Sequence, residues 1–471
     1  MYTFTYPVEK YDERNLSKKE ILRLIKKHRK IAAELQKKMK YYKGEQAILD
    51  RSKEDGAPNN KLVCNHARDI SDTASSYFIG EPITYKSEND ISVLTDAMED
   101  AGVDEVDGDN GLDLSIYGLA YEYEYAKEEE TVLNSKNLSP ENTFMVHDDS
   151  IEENELFAVY YFAKKDDTGQ QKIRYVATVL TEHYKYVLNI DDSSEEQALT
   201  EEPVEHFMGE VPIIEYRNNK LAIGDFELQI PLIDAYNAIM SDRVNDKEQF
   251  IDSILAIYGT LLSDEDYEVD ENGIGDGKGS EHAMKRLKKE KLLELPDGSK
   301  AEYLTRTFDE SGIEILRKAI EQDIHKFSHI PCMTDESFGG NVSGVAMEFK
   351  LLGMENITKI KTRYYKKGLR KRIRMFQHWL ALKGTNVDIV GISPVFTRCM
   401  PKNLLEISQW VSNLWGKVSH KTLLSQIPFV DNVEDELAAV EEETEQEVKR
   451  QQAMFGMQNN KPIEDDEDGE A

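Results

Sequence analysis

What the chain has little of narrows the field first. Its three cysteines, Cys64, Cys332 and Cys399, stand far apart, and no Cys-x-x-Cys pair occurs in 471 residues. Neither a disulfide framework nor a structural zinc site is indicated, and a reducing environment is expected. No apolar run approaches the roughly eighteen residues that a membrane-crossing helix needs, and no charged-then-apolar leader opens the chain, so a soluble protein without a membrane partner is expected. Bases are scarce too: 58 Lys and Arg stand against 90 Asp and Glu, a net charge of −32. Such a surface repels free nucleic acid and anionic lipid at long range, which disfavours a general DNA binder. A conduit is a different case, because an acidic wall that does not grip phosphate lets a duplex slide.

Catalytic signatures are also missing. Gly275-Asp276-Gly277-Lys278-Gly279-Ser280 comes nearest to a phosphate loop, but the first glycine is absent and Gly279 stands where Ser or Thr would hold magnesium. Glu268-x-Asp270-x-Asn272-Gly273 starts like a calcium loop and reaches Gly279 where the bidentate Glu belongs. His147-Asp148-Asp149 has no His or Cys partner at ligand spacing and reads as an acidic turn. No Gly-x-Ser-x-Gly elbow or His-Glu-x-x-His helix occurs. No enzymatic activity, cofactor or metal is expected.

What is present is organised around residues 330–384. Pro331 and the Gly339-Gly340 pair make Ile330–Gly344 a loop. From Val345 the pattern is helical, and a helix reaching Lys383 would be roughly 55–60 Å long at about 1.5 Å per residue. Its apolar residues fall into three registers: Val345, Phe349, Leu352; Ile357, Ile360, Tyr364; Leu369, Ile373, Phe376, Leu380. Steps of five separate the sets, with Gly353 and Gly368 at the shifts, so bends are expected there. Lys359, Lys361, Arg363, Lys366, Lys367, Arg370, Lys371, Arg372 and Arg374 make this the most basic segment. A solvated face is the bland reading; an ion-pair seam between subunits or domains is the expectation, given so much acid elsewhere.

The remaining pattern predicts an α+β fold, mainly helical. A helix starts at the capping box Ser17-x-x-Glu20, with Ile21, Leu24, Ile25, Ile31, Leu35, Met39 and Tyr42 on one side and bases on the other. A second helix stops at Gly80 and Pro82, and its His66 reads as a helix-packing or surface residue. Between Tyr121 and Tyr216 the period becomes two: Tyr121-Glu122-Tyr123-Glu124-Tyr125 alternates, and Leu156–Phe162, Ile173–Leu180 and Tyr184–Leu188 read as strands of an antiparallel meander with one wet face. Pro231 opens a helix with the stripe Tyr236, Met240, Val244, Ile251, Leu255, Tyr258, and the capping box Ser311-x-x-Glu314 opens another. Between the two helices, residues 259–306 form a knob with a hairpin turn at Pro296-Asp297-Gly298. After Gly384 come a strand within Val387–Phe396 and helices at Leu404–Trp415, Lys421–Ile427 and Val433–Gln452. Trp410 and Trp415 read as packing anchors. The acidic Gly456–Ala471 lacks a core-forming pattern and is expected to be disordered.

Three blocks together carry a resemblance: Asn60-Lys61-Leu62-Val63 through Asn65 to Tyr77-Phe78-Ile79-Gly80-Glu81-Pro82; Asp234-Ala235-Tyr236-Asn237 with Ser241-Asp242 and Asn245; and Phe338-Gly339-Gly340-Asn341 followed by Ser343-Gly344-Val345-Ala346-Met347-Glu348. In order and spacing, from about Leu16 to Phe455, the chain resembles the portal proteins of tailed bacteriophages, the family typified by the portal of phage SPP1. That resemblance implies a wing at 1–230, a stem helix at 231–258, a clip at 259–308, and a second stem helix at 309–329. It further implies a tunnel loop at 330–343, a long wing helix with its following strand at 344–400, a crown at 401–455 and an acidic tail at 456–471.

It also implies a ring, dodecameric in the family manner, that forms the DNA channel at one capsid vertex of the virion and is assembled in the host cytoplasm. The implied partners are further copies of the chain, the terminase large subunit, a head-completion adaptor, the major capsid and scaffolding proteins, and the double-stranded DNA in transit. Thr334, Asp335, Phe338, Gly339, Gly340 and Asn341 would lie near DNA, and Lys285, Arg286, Lys288 and Lys289 would mark the clip that docks motor and connector. Two rivals stand beside this: a non-viral coiled-coil scaffold, which sustained heptads would favour, and a metal-dependent nuclease built on the acidic loops.

Overall fold

Helix α1 (Lys18–Lys43) ends at Gly44, whose φ of 85° is the left-handed conformation that closes a helix. In the computed structural model, the described residues are 3–53, 57–127, 131–164, 174–191, 202–251, 254–258, 300–304, 310–333, 344–398, 404–424, 427, 430 and 433–458. Helices and antiparallel sheet are mixed, and the chain divides into two compact units, 1–339 with 350–399 and 340–349 with 400–471. The expected capping box at Ser17 is not made: the Ser17 side chain caps nothing, and Glu20 pairs with Arg23 at 2.9 Å. The inward face of α1 carries Ile21, Leu24, Ile25 and Leu35 as expected, and adds His28, Lys38 and Tyr41. Met39 and Tyr42 are half-buried.

In the first unit, α1 covers one face of a six-stranded sheet in the order β1-β5-β6-β7-β8-β9. Its strands are β1 (Phe4–Thr5), β5 (Thr143–His147), β6 (Glu155–Lys164), β7 (Arg174–Leu180), β8 (Tyr184–Asp191) and β9 (Val204–Glu205), with β2 (Thr84–Lys86), β3 (Leu119–Ala126) and β4 (Leu133–Leu138) elsewhere. From β5 onward this is the expected antiparallel meander, and β1 joins β5 in parallel. Strand β3 is not part of it. It sits in the middle of a separate sheet, between β4 and β10 (Ile213–Arg217). The alternation in β3 suggested glutamates on a wet face; instead Glu122 and Glu124 are 0% exposed.

Buried beneath α1, His28 accepts or donates at Nδ1 to the Tyr161 hydroxyl at 2.8 Å, and its ring lies against Phe144. Burial lowers its pKa from 6.5 to about 4, a Pro140 carbonyl contact opposing only weakly. A folded-state pKa below the unfolded one means that the unfolded chain binds the proton first. The stability that neutral His28 contributes is therefore complete above pH 6.5 and is lost as pH falls toward 4, by about 3 kcal/mol at 1.36 kcal/mol per unit. Urea unfolding at pH 7, 5.5 and 4 should show that acid limb, and His28→Gln should flatten it; an unchanged slope would sink the assignment.

Helices α2 (His66–Ile79), α3 (Ser92–Asp100) and α4 (Val103–Tyr117) pack between the sheets and the long helix α7 (Gly344–Leu382). Asn65 caps α2 by accepting from the Arg68 amide at 3.2 Å. The strand expected after Gly384 is β13 (Ser393–Val395), which pairs with β2.

In α7 the first two of the expected registers are corrected, while the third, Leu369, Ile373, Phe376 and Leu380, is buried as expected. One buried stripe, Leu351, Met354, Thr358, Lys361, Tyr365, Gly368, Arg372 and Met375, follows an unbroken alternation of three and four along the helix. Phe349, Leu352 and Ile360, taken above for core, are exposed, Phe349 at 72%. The inward stripe escaped the apolar pattern because Thr, Lys, Gly and Arg occupy half of it. Gly368 sits at a close approach: a Cβ there would lie 2.3 Å from the Tyr216 ring. Gly353 has only ordinary contact with His329 at 3.6 Å.

Helices α5 (Ile230–Ile251) and α6 (Glu310–Ser328) form an antiparallel pair. Helix α5 is shorter than its stripe suggested: residues Ile254–Tyr258 are strand β11, paired with β12 (Lys300–Leu304). Five β-branched, aliphatic or aromatic residues in a row read as either element, and pairing with β12 decides for strand. Ser311 lies inside α6, whose Glu314 bonds to Arg243 and Arg317 and closes no capping box. The Pro296–Gly298 turn lies outside the described residues.

The second unit contains α8 (Leu404–Leu414), α9 (His420–Leu424) and α10 (Val433–Gln458). The tryptophans there are not buried anchors: Trp410 is 46% and Trp415 56% exposed, the latter stacked on His420 at 4.5 Å. Helix α10 outlasts its predicted end and takes in Gly456 to Gln458; residues 459–471, the rest of the predicted tail, are outside the described residues.

Candidate functional site

The predicted tunnel-loop residues Thr334, Asp335, Phe338, Gly339, Gly340 and Asn341, and the clip bases Lys285, Arg286, Lys288 and Lys289, lie outside the described residues. What is described is the frame that delivers those segments: α5 and β11 lead toward residue 259, β12 and α6 lead back, and Ile330 begins the loop.

The root of this frame is built by two of the sequence blocks singled out above. Residues Asn60 to Cys64 run extended along α5, and three α5 side chains on one face take their amides in turn. The Asn60 amide donates to Asn245 Oδ1 at 2.7 Å, Leu62 to Ser241 Oγ at 3.0 Å and Cys64 to Asn237 Oδ1 at 2.8 Å. The fit follows from two rises: two extended residues span about 6.6 Å and four helical residues about 6 Å, so every second amide meets every fourth side chain. Asn237, Ser241 and Asn245 are buried. An exposed Asn or Ser on a helix is unremarked in a sequence; the i, i+4, i+8 spacing was the signal, and it becomes informative only beside the extended partner.

Charge then ties the helix pair together. Arg243 reaches Glu314 at 2.8 Å and Glu310 at 3.2 Å, and Lys247 also reaches Glu310 at 3.2 Å. Arg317 bonds to Glu314 at 2.8 Å, Glu321 at 2.7 Å and the Tyr236 hydroxyl at 2.9 Å. Hydrogen bonding from Arg317, reinforced by Arg243, brings the Glu314 pKa down to about 2. Where α6 ends, His325 Nδ1 bonds to the Ile330 carbonyl at 3.1 Å, so Nδ1 carries the proton. The His325 ring stands 5.5 Å from His66, which packs edge-on to Tyr236 at 4.7 Å. His66 is thus the helix-packing residue expected, with its pKa lowered by burial and by His325.

The long helix is joined to the body of the same unit by the ion pairs its bases make. Lys361 meets Asp225 at 2.7 Å, Lys371 meets Glu155, and Arg374 meets Glu210 at 2.6 Å. The expected seam between subunits or domains is in these pairs a seam within one unit, while Arg363, Lys367 and Arg370 are exposed. At its centre, fully buried Arg372 grips Glu122 through Nε at 2.7 Å and Nη2 at 2.6 Å, and Asp107 through Nη1 at 3.0 Å and Nη2 at 2.6 Å. Glu122 also accepts from the Tyr216 hydroxyl at 2.7 Å and from the Ser135 hydroxyl at 2.8 Å. Burial pushes the Glu122 pKa up, but the Arg372 charge prevails and takes it to about 2; for Asp107 burial prevails over the same cation. Glu124, facing Glu122 with no cation of its own, is raised far above the carboxylate range by burial and by Glu122.

A cleft of about 650 Å³ opens beside the long helix, with Lys367, Arg370 and Arg374 on one side and Glu152, Glu182 and Glu210 on the other. Among the described residues no group of three His, Cys, Asp or Glu is placed to hold a metal. Asp148, from the acidic triplet noted above, spends its oxygens on its own turn, accepting from the Ser150 hydroxyl at 2.7 Å and the Asn154 side chain at 2.9 Å. No helix of the described residues is long and apolar enough to cross a membrane.

The chain is similar to known proteins over most of its length. The portal protein of Bacillus phage SPP1 is 24% identical over 417 residues, 84% of this chain and 79% of that protein. The portal protein of Clostridium phage phiCD119 is 23% identical over 407 residues, 80% and 83% of the two chains. Among solved structures, a chain in the neck of a native gene transfer agent particle, computed with C12 symmetry, is similar at 10% identity and a TM-score of 0.46, covering 77% of this chain and 89% of that one. Residues 21–450 match the profile of the family described as phage portal protein, SPP1 Gp6-like. With that match running through both units, the chain belongs to the SPP1-type phage portal protein family.

Proposed function

We propose that this chain is the portal subunit of a phage particle: copies of it close a ring around the passage through which double-stranded DNA enters, is retained and leaves at one capsid vertex. The match over residues 21–450 carries this reading. In the family's terms, 1–230 with 344–400 would be the wing, α5 and α6 the stem, 259–308 the clip, 330–343 the tunnel loop and 401–455 the crown. Supporting the assignment of the stem is the way the pair is held: an extended segment stapled along α5 and three inter-helix ion pairs make a stiff strut whose far end carries the knob. Thr334, Asp335, Phe338, Gly339, Gly340 and Asn341 are proposed to line the narrowest part of the passage. Lys285, Arg286, Lys288 and Lys289 are proposed to dock the terminase large subunit and then the head-completion adaptor. Capsid and scaffolding proteins would surround the wing, and assembly would take place in the host cytoplasm.

The role is passive. Portal proteins are structural components of the virion and not enzymes, so the force for packaging comes from a separate ATPase. The scaffold reading loses its support because the alternating stripe of α7 packs on β3, β10, α2 and α4 of its own unit, leaving no heptad seam for a partner helix. Native mass measurement of the purified chain and particle images viewed down the axis test the proposal. A closed ring with a hole wide enough for a duplex is expected; a chain that stays monomeric beside its capsid partners would overturn it.

A further inference from the structure

Closing a ring requires two different surfaces of one chain to fit, since each copy offers one side to the copy before it and the other to the copy after. The first unit carries two surfaces of strongly opposed charge. Helix α1 holds eleven Lys and Arg against two Glu, and Arg23, Lys27, Lys30, Lys37 and Lys40 stand exposed on its outer side. Between Ser87 and Ala126 there are twelve Asp and Glu and no Lys or Arg. Six of these, Asp96, Glu99, Asp100, Asp104, Glu105 and Asp109, are exposed on α3 and α4, and none is paired with a base among the described residues. Burial and the charge of Glu105 raise the Asp109 pKa, as expected of carboxylates crowded without a cation.

Among the described residues no ion pair joins the two surfaces within one chain. Helices α1 and α4 are joined on their inner sides, where buried Lys38 donates to the Tyr117 carbonyl at 3.0 Å and α4 buries Val106, Asn110 and Leu114. The outer faces look away from that joint. Each surface is therefore self-repelling in the isolated chain, and each is complementary to the other on a different copy.

We propose that the exposed basic face of α1 docks on the acidic α3–α4 face of the neighbouring copy in the ring. This rests on the portal reading and adds to it which surfaces meet. The contact is heterologous, and because its charges lie at the surface, it governs encounter and register and weakens with salt.

Charge reversal tests it with the full chain. One variant carries Lys30→Glu, Lys37→Glu and Lys40→Glu. The other carries Asp96→Lys, Glu99→Lys and Asp100→Lys, the last two at a helix C-terminus where cations are favourable. All six side chains are exposed, and circular dichroism and thermal melts should match wild type. In native mass spectra and sedimentation at low salt, each variant alone should need at least about tenfold more protein to form rings. An equimolar mixture should form rings like wild type, because every contact in an alternating ring again joins opposite charges. If the α1 variant assembles normally, or loses only retention on duplex DNA, or if the folded variants fail to co-assemble, the docking is wrong. A wild-type chain that forms no ring would instead remove the portal reading itself.

Discussion

Replacing Arg372 by Met lowers the stability of the first unit by about 3–5 kcal/mol, the usual cost of leaving buried carboxylates without their cation. This side chain ties together three separate elements. The guanidinium is 0% exposed and is bidentate toward both Glu122 and Asp107, linking α7 to β3 and α4. Arg372→Lys does not rescue it, because a single ammonium cannot meet four oxygens in two planes. Adding Glu122→Gln and Asp107→Asn to Arg372→Met recovers much of the loss, since neutral amides replace the two carboxylates that the guanidinium had paired.

Glu124→Gln alone should act in the other direction. A carboxyl whose folded pKa is raised contributes stability that is complete below its ordinary value of 4.5 and is lost as pH rises through the folded value. The variant should therefore be more stable than wild type at pH 7 to 8, and the advantage should vanish near pH 4. Urea unfolding followed by far-ultraviolet dichroism at the two pH values checks all of these changes. A loss under about 1 kcal/mol for Arg372→Met would show that the cluster is not what joins helix to sheet.

Two glycines of one helix should respond with opposite signs. Gly368→Ala is expected to destabilise by about 2 kcal/mol, because overpacking outweighs the gain of roughly 1 kcal/mol that alanine brings to a helix interior. Tyr216 cannot step aside: it is fully buried, stacked on Tyr365 at 4.3 Å and bonded through its hydroxyl to Glu122. Gly353→Ala meets only His329 at 3.6 Å, an ordinary contact, and should stabilise by up to about 1 kcal/mol. Thermal melts of the two variants separate a helix bent at both glycines from one in which Gly368 serves a close approach. Equal shifts for both would favour the bends.

The sequence was readable wherever an element could be recognised from its own residues. Strands β6 to β8 follow from runs of Val, Tyr, Phe and Ala between turn residues, and α1, α2 and α6 follow from stripes and closing glycines, although the capping boxes at Ser17 and Ser311 are not made. It misled where a polar residue does the work of an apolar one. Thr358, Lys361 and Arg372 hid the inward stripe of α7, and the apolar Leu352 and Ile360 pointed to the wrong side. In β3, alternation placed Glu122 and Glu124 in water because nothing within that strand shows that an arginine 250 residues later will pair with Glu122 in the interior.

By itself, then, the sequence determined the order of elements, the excess of acid, the absence of metal-ligand and nucleotide motifs, and the Asn60–Val63, Asn237–Asn245 and Phe338–Phe349 blocks that resemble portal proteins. These are local properties, each set by neighbours in the chain. Only the tertiary structure decided that Asn237, Ser241 and Asn245 hold an extended segment against α5, that residues 254–258 are strand, and that Lys361, Lys371 and Arg372 of α7 are buried against their own unit. Each of those depends on a partner far away in sequence, and a polar group's value changes sign between water, where it is solvated, and the interior, where it must be matched.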